Sequence, residues 1–241
     1  MVLLAAGVVL GGCLHAPPDG ITKGIIEIRN LQLWDDDELK NNSGELTGLA
    51  IGQRTVLTSG HAFMFEPESG HPVQINREDV GYEILVDGLT GMRNDRAVGD
   101  KVFTSEQFQR DYLILRTDIE FDDYASVEPM RFDRVDDLRR ATLVTRVKAD
   151  GSVVTIPLRK LVVTPTGDLI FAKFSRERAD RYSLSGSPIF GTYPDGSLIL
   201  VGIVSGLGET TTKILGLPLS QSELMIVLPA WNIPFDVVTH D

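Results

Sequence analysis

Hydrophobic and polar positions alternate along this chain in apolar runs of four to eight residues, separated by turn formers. In the first half the runs cover 24–29, 46–52, 54–58, 72–76, 82–87, 100–104 and 111–117. In the second half they cover 141–148, 152–157, 160–164, 168–174, 188–191, 198–205, 212–216 and 223–228. β-Branched residues dominate, and no helical repeat is sustained over twelve residues, so the pattern predicts strands. Short helices are expected only near 133–140 and 230–238. Many short strands with frequent turns describe an all-β chain, closed or sandwiched. Between 118 and 136 the apolar runs thin out, and Asp118, Glu120, Asp122, Asp123, Glu128 and Asp133 crowd in. That stretch reads as the connection between two β units, over 24–125 and 126–241.

Composition fits this reading without changing it. The 241 residues are 42% hydrophobic and 24% charged, enough for one large β unit or two small barrels with separate cores. The 23 glycines and 12 prolines suffice to punctuate many strands. A formal net charge of −11 argues against a nucleic-acid partner, because no basic surface would neutralise phosphates. The acidic cluster Asp35-Asp36-Asp37-Glu38 lacks the spaced ligands and turn glycine of a cation loop, and reads as solvated.

The N-terminus adds a location. Residues 1–12 are uncharged and small or aliphatic. They fall short of the about 20 apolar residues that span a bilayer, but suit the apolar core of an export signal. The run ends at Leu10-Gly11-Gly12-Cys13, which resembles a bacterial lipobox. The resemblance implies a signal peptide over 1–12, lipidation of Cys13 and a tether over 14–23. The chain would then be exported and anchored to a bacterial membrane, on its periplasmic or cell-surface side. The basic start of such signals is missing, and an apolar N-terminus with an incidental cysteine is the alternative. Cys13 is the only cysteine, so no intramolecular disulfide can form and the cores must hold the fold.

Three stretches carry candidate chemistry. Ser183-Leu184-Ser185-Gly186-Ser187-Pro188 places a serine among small residues just before the apolar Ile189-Phe190. Small neighbours let the backbone fold closely enough to turn N–H groups toward a developing oxyanion. His61 follows the run Thr55-Val56-Leu57-Thr58 and two small residues; a lone histidine there is more often structural. Asp111 opens Asp111-Tyr112-Leu113-Ile114-Leu115, where an acid is often a plain strand end. A metal reading from His61, Glu66, Glu68 and His71 lacks established ligand spacing, so neither metal nor organic cofactor is expected.

Taken in order, His61, Asp111 and Ser185 follow the chain order of chymotrypsin-type proteases, not of subtilisins or α/β-hydrolases. Thr58-Ser59-Gly60-His61 resembles the approach to the catalytic histidine of trypsin-like serine proteases, and Asp111-Tyr112-Leu113-Ile114-Leu115 the strand with their aspartate. Ser185-Gly186 and Pro188 match their nucleophile motif, and Gly202-Ile203-Val204-Ser205-Gly206 resembles the strand that binds substrate backbone. The resemblance covers roughly 24–228 and implies two six-stranded antiparallel β-barrels with the site between them. His61 and Asp111 would lie on the first barrel and Ser185 on the second. It implies a serine endopeptidase acting on polypeptides, with His61 as general base, Asp111 orienting it and Ser185 as nucleophile.

The same resemblance gives the oxyanion N–H groups to Ser183 and Ser185, and substrate contacts to Ser205 and Gly206. The pocket floor falls near Ala179 and Asp180. Asp180 would suit a basic P1 side chain and Ala179 a small or apolar one. A monomer is expected, with no peptide-binding domain after residue 228. Two departures matter. Ser183 stands where the family has glycine, and Leu184 where zymogens carry the aspartate that pairs with a freed N-terminus. Activation by propeptide cleavage is therefore not expected. A catalytically inactive, protease-like binding lipoprotein is the alternative; an esterase lacks the Gly-x-Ser-x-Gly elbow.

Overall fold

The computed structural model describes residues 7–9, 20–35, 38–42, 45–60, 80–86, 89–94, 97–98, 111–117, 120–126, 128–208 and 224–235. In chain order its strands are β1 (Gly7–Val9), β2 (Ile25–Asp35), β3 (Glu38–Asn42), β4 (Leu46–Gly52), β5 (Thr55–Thr58), β6 (Val80–Val86), β7 (Leu89–Asn94), β8 (Ala97–Val98) and β9 (Leu113–Arg116). They continue with β10 (Glu128–Pro129), β11 (Arg140–Arg146), β12 (Val153–Leu158), β13 (Lys160–Val163), β14 (Ile170–Lys173), β15 (Pro188–Thr192), β16 (Leu198–Gly208) and β17 (Leu224–Pro229). One short α-helix, α1 (Arg176–Ala179), leads toward the serine-rich turn. Where helices were expected near 133–140 and 230–238, the chain makes 3-10 turns at Phe132–Asp137 and Ala230–Asn232. The predicted strands at 72–76, 100–104 and 212–216 lie outside the described residues.

Two sheets result. The first runs β7-β6-β2-β4-β5-β9-β8, with β3 on β2; the second runs β1-β13-β14-β17-β16-β15-β11-β12, with β10 on β16. Apart from the parallel β10–β16 bridge, the pairings are antiparallel. Setting aside the edge pieces β1, β3, β8 and β10, and joining β12 to β13 across Arg159, each sheet keeps six strands. β3 was not marked by an apolar run in the sequence; it pairs with the far end of β2, with Asp35 opposite Glu38.

β5 and β17 are buried along their whole length, as strands are when a curled sheet covers both of their faces. One core fills the second sheet, around Leu143, Ile170, Ile189, Val201, Met225 and Val227. A second core lies on the seam, where Leu49, Leu57 and Ile114 of the first sheet meet Phe190, Leu200 and Leu228 of the second. Each such side chain contributes about 1.5–3 kcal/mol by leaving water, so the seam is a cohesive interface. Phe121 and Ala125 of the connecting segment are also buried, their N–H groups bonded to Gln53 and Ala50 carbonyls.

Candidate functional site

The site is built where β4 of the first sheet meets the turn that precedes β15 of the second. From Ser183 to Phe190 every residue is buried except Ser185, which is partly exposed. Thr47 on β4 clamps this turn twice: its N–H donates to the Ser185 carbonyl (3.0 Å) and its Oγ1 to the Ser183 carbonyl (2.6 Å). Gly186 has φ +78°, and a Cβ there would lie 2.1 Å from the Thr47 carbonyl oxygen and 2.3 Å from Thr58 Oγ1. Only glycine fits such a backbone and such a gap. Gly186 N–H donates to the Val204 carbonyl and Val204 N–H to the Ser187 carbonyl, each at 2.9 Å, which ties the turn to β16.

Asp111 reaches the same place from the first sheet. It is 2% exposed, two residues before β9, and its carboxylate accepts a hydrogen bond from Ser205 Oγ on β16. A buried carboxylate is tolerated only when donors satisfy it. The aim of Ser205 comes from a bulge. Val204 faces Val227 and Gly206 faces Ile226, so Ser205 is the extra residue that the register skips. A short path therefore links the two predicted residues: Ser185 to its neighbour Gly186, across to Val204, and from its neighbour Ser205 to Asp111.

His61 and Cys13 lie outside the described residues. The chain leading to His61 is described. Thr58 pairs with Leu113, and Gly60 packs so tightly that a Cβ would sit 2.9 Å from the Tyr112 carbonyl oxygen. The glycine one residue before the predicted base thus abuts the residue after the predicted orienting acid.

Ser183 is held at both ends. Its N–H donates to the Arg146 carbonyl (2.9 Å), as part of a short ladder with Val147 opposite Tyr182. Its carbonyl is surrounded by three hydroxyls, Thr47 at 2.6 Å, Ser187 at 2.9 Å and Thr145 at 3.1 Å. Leu184 is buried in the core of the second sheet, where an aspartate would need a charged partner. Ala179 packs in that core as well, 3% exposed, whereas the neighbouring Asp180 is exposed. A Cβ on Gly206 would meet nothing within 4 Å, and Leu207 is 42% exposed, so β16 presents an open face just beyond Ser205.

Two residues that hold the turn escaped the sequence reading. Thr47 sits in a buried strand, and its full burial, which gives the hydroxyl its role, has no mark in the sequence. Thr145, between Val144 and Arg146 in β11, is fully buried as well. Among the described residues no cluster of three or more His, Cys, Asp or Glu could hold a metal ion. None of the described helices is long and apolar enough to cross a membrane.

No protein-family model matches the sequence, and no characterised protein matches it significantly. Solved structures do. Kallikrein-related peptidase 10 in complex with Zn2+ superposes with TM-score 0.54 at 14% identity, covering 94% of this chain and 100% of that one. HL collagenase superposes with TM-score 0.55 at 11% identity, covering 91% and 93%. The chain has the chymotrypsin-type fold. Catalytically inactive tobacco etch virus protease complexed with substrate shares it, with TM-score 0.51 at 16% identity over 93% and 86% of the two chains. In the chymotrypsin-type fold of this chain the Thr47 clamp and the Ser205–Asp111 bond both cross between the sheets, and both converge on the segment around Ser185.

Proposed function

We propose that the protein is a serine endopeptidase in which Ser185 attacks the peptide carbonyl. His61 accepts the hydroxyl proton and Asp111 orients the imidazole. The same proton then goes to the leaving amine, and water hydrolyses the acyl-enzyme. The observation that carries this reading is the hydrogen bond from Ser205 to Asp111. It brings a buried acid of the first sheet to the strand that backs the serine turn of the second. The packing of Gly60 on Tyr112 supports His61 as the base. Ser185 is the one partly exposed residue from Ser183 to Phe190, which supports it as the residue a substrate meets.

The oxyanion would be held by the N–H groups of Ser185 and Ser183, the latter after leaving the Arg146 carbonyl. The open face at Ser205 and Gly206 would take substrate backbone. P1 preference turns on Asp180 or Ala179; the burial of Ala179 and exposure of Asp180 leave a peptide panel to choose between basic and small side chains. Lipidation at Cys13 would hold the enzyme at a bacterial membrane. A fluorophosphonate probe tests the reading. Labelling is expected in the native chain and lost in Ser185→Ala and His61→Ala.

The second reading, an inactive protease-like binding lipoprotein, has one observation in its favour: the Ser183 N–H is engaged within the protein. Absence of probe labelling in folded chain would select it.

A further inference from the structure

One buried charge pair bridges the two sheets beside the turn, and the triad reading makes no use of it. Arg146, at the end of β11, places Nη2 3.2 Å from Glu27 Oε2 on β2, with side chains 17% and 4% exposed. Arg146 Nε is buried with no hydrogen-bond partner. Buried ion pairs are costly to desolvate, and apolar residues of similar volume often stabilise a fold as well. Fold stability is therefore a poor reason for this pair. Its place suggests another. The residue opposite Glu27 in the β2–β4 ladder is Thr47, the double clamp on Ser183 and Ser185. The backbone carbonyl of Arg146 takes the N–H of Ser183. Gly151, with φ +69°, covers the pair so closely that a Cβ would lie 3.1 Å from Arg146 Nη2.

We infer that this is a latch on the oxyanion site. In the resting chain the Ser183 N–H is held by the Arg146 carbonyl, and the Glu27–Arg146 pair fixes that carbonyl against the first sheet. A tetrahedral adduct at Ser185 draws the N–H away, and the Ser183 peptide turns to meet it. Glu27 and Arg146 touch no reacting atom and are positioning residues. The inference rests on the peptidase reading and adds a step to it: a reorganisation of the turn between encounter and tight binding.

The test is the onset of inhibition of the full chain by a peptidyl boronic acid, which mimics the tetrahedral state. With a latch, the onset rate rises with inhibitor concentration and then reaches a plateau set by the turn. In Glu27→Leu/Arg146→Met, which replaces the pair by apolar groups, the plateau rises about fivefold, the factor one net hydrogen bond is worth. Arg146→Lys, which keeps the charge, stays near the native plateau. Onset that stays linear in concentration overturns the latch, and an unchanged plateau in the folded double variant overturns the role of the pair. Should the double variant fail to fold, Glu27→Gln replaces it, which keeps the side-chain size and removes the charge from the pair; an unraised plateau there overturns the role of the pair equally. If the native chain neither binds boronate nor labels with fluorophosphonate, the peptidase reading has failed, and the latch with it.

Discussion

Ser205 and Asp111, 94 residues apart in sequence, are joined hydroxyl to carboxylate across the seam between the two sheets. The bond exists because a bulge in β16 turns Ser205 out of the ladder. Ser205→Ala removes a donor from a buried carboxylate, which costs about 2 kcal/mol of stability. On the proposed mechanism it also lowers kcat by about tenfold with little change in KM. Asp111→Asn leaves the fold largely intact and lowers kcat by about four orders of magnitude, through the wrong imidazole tautomer. Steady-state kinetics beside thermal melts separate the two effects; a Ser205→Ala enzyme with native kcat would remove Ser205 from the site.

Gly186 admits no side chain. Gly186→Ala would place a methyl carbon 2.1 Å from the Thr47 carbonyl oxygen at a positive φ. The expected loss is about 3 kcal/mol or more, combining backbone strain with the broken Thr47 contacts. Chemical denaturation measures it, and a melt within a degree of the native chain contradicts the geometry.

The carbonyl of Ser183 accepts from both sheets, so its donors differ in what their loss does. Thr47→Val removes the shortest of the three contacts, at 2.6 Å, and costs about 1 kcal/mol. Thr47→Ser keeps the hydroxyl and should behave like the native chain. Denaturant midpoints for the two variants, read side by side, decide whether the hydroxyl or the packing matters.

How far the site could be read in advance depends on which kind of physics placed each residue. The strands that follow Asp111 and Ser185 were legible because apolar runs marked them, and those runs form β9 and β15. The pairing of Ser205 with Asp111 was not, since a bulge is set by the register of two distant strands and leaves no local mark. Thr47, Glu27 and Arg146 were likewise unreadable. Each is a polar residue wholly or partly buried against another strand, and sequence alone does not tell such a residue from an exposed one. β3 was missed because Glu38–Asn42 is mostly polar and carries no apolar run to mark it.

Two hairpin turns repeat one device. Asp150-Gly151-Ser152 and Asp195-Gly196-Ser197 each set a glycine at positive φ and let the aspartate accept from the serine N–H and Oγ two residues on. In each case the serine hydroxyl, then its N–H, holds the carboxyl below its ordinary 3.8. A folded-state value below the unfolded one stabilises the fold above the unfolded value, and that contribution is lost as pH falls through the folded value. Carboxyl carbon titration by NMR should place both midpoints below 3.8, and Ser152→Ala or Ser197→Ala should return the affected one toward it.

Leu184 carries a consequence for activation. It is packed in a core, so no buried acid at this position awaits a new N-terminus. Trimming residues before Gly20 should leave probe labelling at Ser185 unchanged, and Leu184→Asp should destabilise by about 3 kcal/mol through an unpaired buried carboxylate. Labelling that appears only after trimming would contradict this.

The polar links around Ser185 come in halves, Thr47 and Asp111 from before the connecting segment, Ser183 to Ser187 and Ser205 from after it. On the proposed mechanism neither half carries the site by itself. A polypeptide severed between β9 and β10 would thus behave as two silent fragments whose reunion restores the probe signal, a natural starting point for a split reporter.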